Sequence, residues 1–240
     1  MSQLILVRHG QSIWNLEKRF TGWVDVDLTA QGKLEACKSG ELIKELKIPF
    51  DHFFCSYQKR AIHTLELILN TMHIKPNKIN KAWQINERMY GELTGLNKNE
   101  MKKIHGEKKI HQFRRSWDIS PLPLSEQSPY HPKNIEAYKG IPRNKIPSTE
   151  SLKDTFDRVM PFYLKNIYPL IKNKENVLIV AHGNSIRSLC KFLFDISDQG
   201  ISKLEIPTGN PLVLKFNENI KLLGAKYLDK ERSKNLMTKS

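Results

Sequence analysis

Apolar residues along this chain follow two kinds of spacing. Short continuous runs, Leu4-Ile5-Leu6-Val7 near the start and Val177-Leu178-Ile179-Val180-Ala181 near the end, are rich in β-branched residues, and each run leads into a His-Gly pair. Runs of this length without polar alternation are predicted to be buried strands of a parallel sheet. A further short strand is predicted over residues 53–56, and two β-type runs at 212–216 and 222–227 finish the sheet. Helical spacing fills the intervals. Thr29 can cap a helix with Leu34, Cys37, Leu42, Ile43 and Leu46 on its apolar positions, ended by Pro49. Ile62, Leu65, Ile68, Leu69 and Met72 mark a second helix, and Ser185 opens another that reaches Phe194. Residues 150–171 read as one helix that Pro161 and Pro169 bend or bound.

Strand followed by helix, repeated, is the signature of an α/β fold, here a mostly parallel central sheet flanked by helices. Two segments leave the pattern. Residues 11–27 are polar and aromatic without sustained periodicity, and read as a long loop over a strand end, where loops of this length are usually functional. Residues 98–115 are a basic helical segment, followed by a proline-rich stretch with few periodic apolar positions. The expected organisation is one domain over 1–240, with a cap-like insertion at about 92–148.

Composition narrows the classes. The chain has 240 residues and is 39% hydrophobic, enough for a substantial core. No apolar stretch approaches the roughly 18 residues that span a bilayer, and the first residues lack the features of a secretory signal, so a soluble, cytoplasmic protein without a membrane partner is expected. Three widely spaced cysteines, Cys37, Cys55 and Cys190, make neither a disulfide framework nor a zinc pattern. The net charge of +14 admits a polyanionic partner. Lysine far outnumbers arginine and is scattered, however, which reads as compositional bias; only 98–115 is locally dense.

The candidate chemistry gathers at the strand ends. His9 follows Arg8 at the end of the first strand, and an imidazole whose other nitrogen is held by a carbonyl can attack phosphorus. Gly10 would let a substrate approach the backbone. The alternative is an ordinary satisfied histidine at a strand edge. His182 occupies the matching end of the later strand where a helix begins, so the first amides there, from Gly183 and Asn184 on, can face an anion. Arg60, opening the helix after residues 53–56, can reach the same edge with a planar guanidinium, or stand solvated at a helix start. Glu87 can move a hydroxyl proton, or pair with Arg88 or Arg60. Arg114 and Arg115 can hold a carboxylate or distal phosphate; a solvated basic face is the plain alternative. No Walker loop, Cys-x-x-Cys or His-Glu-x-x-His spacing is present, and positive side chains would stand in for a metal.

These residues sit in longer segments: Leu6-Val7-Arg8-His9-Gly10-Gln11-Ser12-x-Trp14-Asn15, Arg19-Phe20-Thr21-Gly22-Trp23-x-Asp25-Val26-Asp27-Leu28, Lys59-Arg60-Ala61-Ile62-His63-Thr64, Asn86-Glu87-Arg88-x-Tyr90-Gly91, Gly95-Leu96-Asn97-Lys98 and Ala181-His182-Gly183-Asn184-Ser185. With Ile206-Pro207-Thr208-Gly209, they make the chain resemble the cofactor-dependent phosphoglycerate mutases of the histidine phosphatase superfamily over nearly its whole length. The resemblance implies that His9 is phosphorylated by 2,3-bisphosphoglycerate and passes the group to a monophosphoglycerate, without a metal. It implies that Arg8, Arg60 and His182 surround the transferring group and that Glu87 handles the proton. Asn15, Thr21, Gly22, Tyr90, Lys98, Arg114, Arg115, Gly183 and Asn184 would hold the remainder of the substrate, small phosphoglycerates would replace nucleic acid as partners, and a homodimer is expected. Departures are Gln11 where the family commonly has Glu, Met89 where His is frequent, Cys55 where Thr is frequent, and a short tail after Leu228. Loss of the Glu charge at position 11 would alter phosphohistidine lifetime or phosphate affinity. A phosphatase on the same scaffold and a basic nucleic-acid-binding protein are the competing readings.

Overall fold

In the computed structural model, which describes residues 1–236, the five predicted strands and a short unpredicted one, β3, join one sheet in the order β3-β2-β4-β1-β5-β6. Here β1 is Ser2–Arg8, β2 is His52–Cys55, β3 is Asn80–Lys81, β4 is Val177–Ala181, β5 is Leu212–Phe216 and β6 is Leu222–Tyr227. β1, β2, β3 and β4 run parallel, whereas β5 and β6 close one edge antiparallel. The first and later apolar runs are direct neighbours, with Arg8 opposite Ala181. That register sets His9 and His182 side by side at the same end of the sheet.

The unbroken apolar character of β1 and β4 follows from burial on both faces. Leu4, Leu6, Val177 and Ile179 point into one core layer, while Ile5, Val7, Leu178 and Val180 point into the other. The helices are α1 (Ile13–Leu16), α2 (Ala30–Lys44), α3 (Lys59–Met72), α4 (Lys98–His105), α5 (Glu107–Arg115), α6 (Leu152–Phe162), α7 (Tyr168–Lys172) and α8 (Gly183–Leu193). The layer against α6 and α8 is the larger; α3 supplies Leu65, Ile68 and Leu69 to the other.

Four local expectations are corrected. α2 starts at its Thr29 cap as expected, but the face it buries is Gly32, Ala36, Ser39, Gly40 and Ile43, and Leu34 is 65% exposed. The helix approaches its neighbours through small residues: a Cβ on Gly40 would lie 2.7 Å from the Thr71 side chain. Gly10 serves the same contact rather than a substrate, since a Cβ there would lie 2.1 Å from the Gly32 carbonyl oxygen. The basic segment is two helices, broken at Gly106, whose φ of +82° only glycine adopts easily. Residues 152–172 are helical but not continuous α-helix. Pro169 has no N–H to continue the ladder, and the chain widens into a π-helical turn, Tyr163–Ile167, before α7.

Residues 92–148 pack back onto the loop at 11–27 through two small apolar clusters. One joins Phe20 to Leu93, Met101 and Ile110; the other joins Trp23 to Met89, Tyr138 and Ile141. The Tyr138 hydroxyl donates to the Trp23 carbonyl at 2.5 Å. The middle of that loop is thereby pinned to the segment that follows it. No described helix is long and apolar enough to cross a membrane.

Candidate active site

A cavity of about 220 Å³ opens at the carboxyl ends of β1 and β4. Its cationic lining is Arg8, Arg60, Lys98, Arg114, Arg115, Arg187 and Lys234, against the carboxylates of Glu87 and Glu205; His9, Asn15, Thr21, Tyr90, Gly183 and Asn184 also line it. The excess of positive charge in a confined, partly dry space makes a site for a multiply charged anion.

His9 is buried, and its ring is held at one nitrogen. Nδ1 lies 2.7 Å from the Gly10 carbonyl oxygen, which can only accept, so Nδ1 carries the proton and Nε2 keeps its lone pair. The sheet fixes the backbone beneath it, because the His9 amide donates to the Ala181 carbonyl at 3.0 Å. Burial, then the charge of Arg60 and of Arg8, pushes the His9 imidazole well below its usual range. His9 is therefore neutral near neutral pH, the form a nucleophile requires. The His182 ring centroid is 5.0 Å away, and His182 is pushed down by burial and then by Arg60 in the same way. Its Nε2 is 2.7 Å from Ser56 Oγ, while its Nδ1 is buried without a partner.

Arg60 is 1% exposed and is no solvated helix-start residue. The loop at 11–27 turns two carbonyls onto it: Nη1 donates to Val24 and Nη2 to Gly22, at 2.9 and 3.0 Å. Arg8 is held by the Ile206 carbonyl at 2.8 Å. Burial lowers the proton affinity of both guanidiniums, with the Glu87 carboxylate opposing the shift. Arg8, Arg60, Arg88 and Arg187 each keep a buried Nε with no hydrogen-bond partner; those of Arg8, Arg60 and Arg187, which line the cavity, are the donors a polyanion there would satisfy.

Glu87 forms no ion pair with Arg88 or Arg60. Its Oε1 accepts from the Arg88 amide at 2.8 Å, the Asn184 amide at 3.3 Å and Asn184 Nδ2 at 2.8 Å. The start of α8 thus meets an anion of the protein itself, and Oε2 takes no part in those bonds. Lys98 donates to the Arg19 carbonyl; burial, then Arg114 and Arg8, brings its ammonium down to about 8. Arg115 pairs with Glu205 at 3.0 Å.

Among the residues singled out from sequence, two stand apart from the cavity wall. Gly22 contributes its carbonyl to Arg60 and to Gln58 Nε2, so it shapes the site without lining it. His182 is fully buried behind His9. Gln11 lies elsewhere: its Oε1 accepts from the Thr29 hydroxyl at 3.0 Å, and its amide meets the Glu35 carboxylate at 2.9 Å. The effect expected of Gln11 on a phosphate would have to pass through those partners. Sequence reading overlooked Arg187, Ser56 and Gln58, which bonds the Glu87 amide through Oε1 at 2.8 Å. Arg187 had a signal, its i+3 spacing from Asn184 on one helix face. The other two are polar residues whose burial only the fold creates. In the described part of the tail, Arg232 holds the Thr208 and Gly209 carbonyls and Lys234 reaches the cavity. The tail's last four residues, 237–240, lie outside the described ones.

Among known proteins, the histidine phosphatase superfamily (branch 1) matches residues 4–129 and 118–224. The chain is 62% identical over 237 residues to the 2,3-bisphosphoglycerate-dependent phosphoglycerate mutase of Pelagibacter ubique, covering 99% of each chain. It is 49% identical over 236 residues to the protein of the same name from Hyphomonas neptunium, covering 98% of each. Solved structures share the fold at low identity. A mycobacterial glucosyl-3-phosphoglycerate phosphatase superposes with a TM-score of 0.69 at 19% identity over 94% of this chain and 96% of its own. The alpha-ribazole phosphatase of Shigella flexneri gives 0.64 at 19% over 94% of each. By its full-length identity and its superfamily match, the chain belongs to the 2,3-bisphosphoglycerate-dependent phosphoglycerate mutases of the histidine phosphatase superfamily.

Proposed function

We propose that this chain interconverts 2-phosphoglycerate and 3-phosphoglycerate through a phosphohistidine on His9. The observation that carries the reading is the neutral, Nδ1-held His9 at the floor of a cationic cavity that also presents Glu87. 2,3-Bisphosphoglycerate, when bound, supplies the phosphoryl group that primes His9. The orphaned Nε atoms of Arg8, Arg60 and Arg187 and the cavity's excess of cations fit such a primer. In this reading Arg8, Arg60 and His182 stabilise charge on the phosphoryl oxygens, as loose phosphoryl transfer demands. Asn15, Thr21, Tyr90, Lys98, Arg114, Arg115, Gly183 and Asn184 hold the rest of the substrate, with Gly22 acting through Arg60. Glu87 takes the proton from the substrate hydroxyl that attacks the phosphohistidine, and returns one to the hydroxyl that departs.

Residues 92–148 act as a cap of the same single domain, excluding water so that the phosphohistidine meets an alcohol before it meets water. The reading requires no metal, no nucleic acid and no membrane; it places the reaction in the cytoplasm, and a homodimer is its expected assembly. In the direct test, 3-phosphoglycerate with trace 2,3-bisphosphoglycerate yields 2-phosphoglycerate in the presence of a chelator, and His9→Ala loses both turnover and phosphoryl labelling. Labelling that survives in His9→Ala removes its role. Free phosphate released faster than isomer makes the enzyme a phosphatase.

A further inference from the structure

Beyond the Nε it offers a primer, Arg187 has no step in the chemistry above, yet it lines the cavity and is 1% exposed. Its Nη1 donates to Asn184 Oδ1 at 2.9 Å, and its Nη2 donates to the Ile201 carbonyl at 2.5 Å and the Arg115 carbonyl at 3.2 Å. A side-chain amide has one accepting and one donating end, and a guanidinium can bind only the accepting one. Arg187 therefore forces Asn184 to turn Nδ2 toward Glu87 Oε1, at 2.8 Å, and toward the Tyr90 hydroxyl, at 3.1 Å. A reversed amide would set its oxygen against the carboxylate, acceptor against acceptor. The same cation grips the carbonyl of Arg115, the last residue of α5.

We propose that Arg187 is a positioning residue for Glu87: it fixes the Asn184 amide that holds the carboxylate, and ties that amide to the end of cap helix α5. The inference rests on the reading of Glu87 as the proton-moving group. Arg8 from β1, Arg60 from α3, Lys98 from α4, Tyr90 and Arg187 all feel the Glu87 charge, and Arg158 from α6 donates to the Glu87 carbonyl at 3.0 Å.

The test is the pH dependence of kcat/KM for isomerisation in R187M, R187K, N184L and the double variant R187M/N184L, beside E87Q. R187M leaves Glu87 Oε1 without its oriented Asn184 donor, and the acid limb of the profile moves up by about one pH unit. With it kcat falls about tenfold, as for partial loss of proton transfer, while KM changes less than about threefold. R187K keeps the charge but cannot bridge Oδ1 and the Arg115 carbonyl at once. It moves the limb the same way by a smaller step, and it carries the test alone should R187M fail to fold. In the N184L background R187M adds no further shift, because its route to Glu87 is already gone. An unmoved limb in both Arg187 variants overturns the proposal, as do shifts from R187M and N184L that simply add, the mark of a free charge. If E87Q isomerises at the wild-type rate, the reading of Glu87 itself has failed. If E87Q is inactive and the Arg187 variants keep the wild-type limb, only the present inference has.

Discussion

Lys98 shows how one residue's surroundings set its working range. Its ammonium sits against Arg114 and Arg8 in a largely buried position, and is held to about 8, so it carries its charge only below that pH. In the proposed reaction the substrate anion binds the charged form. KM for 3-phosphoglycerate is therefore expected to climb several-fold as pH passes from about 7 to about 9, and Lys98→Arg, whose guanidinium stays charged, to flatten the rise. Steady-state KM across that range checks it; an equal rise in both enzymes assigns the effect elsewhere. His9 follows the same logic with the opposite benefit, since burial beside Arg60 and Arg8 keeps it neutral, the form the proposed phosphoryl transfer needs, without any neighbouring base. Burial pushes the thiols of Cys55 and Cys190 up to about 12, so both stay protonated at neutral pH.

At the scale of elements, the site depends on how closely α2 and the strand that carries His9 can approach. Gly10 and Gly32 meet backbone to backbone, a Cβ on Gly32 lying 2.0 Å from the Gln11 carbonyl oxygen. Gly10→Ala forces the start of α2 away from the end of β1. A destabilisation of about 3 kcal/mol or more is expected, read as a lower midpoint in urea unfolding, because neither backbone has room to yield. A variant within about 0.5 kcal/mol of wild type would show that α2 can shift freely. Apolar periodicity misplaced this face because hydrophobicity marks greasy contacts, whereas close contacts are made by residues too small to carry that signal. The break at Gly106 and the π-turn before α7 escaped for a related reason. Both preserve helical spacing on each side of the irregularity.

Across the whole molecule, the net charge of +14 is general, but the cavity concentrates it. Focused charge of this kind draws anionic substrates in and is screened by salt. Raising ionic strength from about 0.01 M to about 0.1 M shortens the Debye length from about 30 Å to about 10 Å, and kcat/KM for phosphoglycerates is expected to fall several-fold. A flat salt profile would mean that the bound-state contacts alone carry recognition. The cap belongs to this scale as well. It reaches the site through the apolar clusters around Phe20 and Trp23 and through the Arg115 carbonyl on Arg187.

Five of the six strands, the recurrence of the strand-His-Gly unit and the residue types of an anion site were legible in the chain, because continuous β-branched runs and charged motifs are local properties; β3, two residues long, carries no such run. The pairing of Arg8 with Ala181 in register, which sets the two imidazoles 5.0 Å apart, came from the sheet. So did the roles of Gly22, Gln58 and Ser56, whose hydrogen bonds join segments far apart in sequence. Sequence alone determined which groups are present and which elements carry them. Tertiary structure decided which nitrogen of His9 is held, which carboxylate oxygen is engaged and which arginines are dry, because burial and partner geometry exist only once those elements meet.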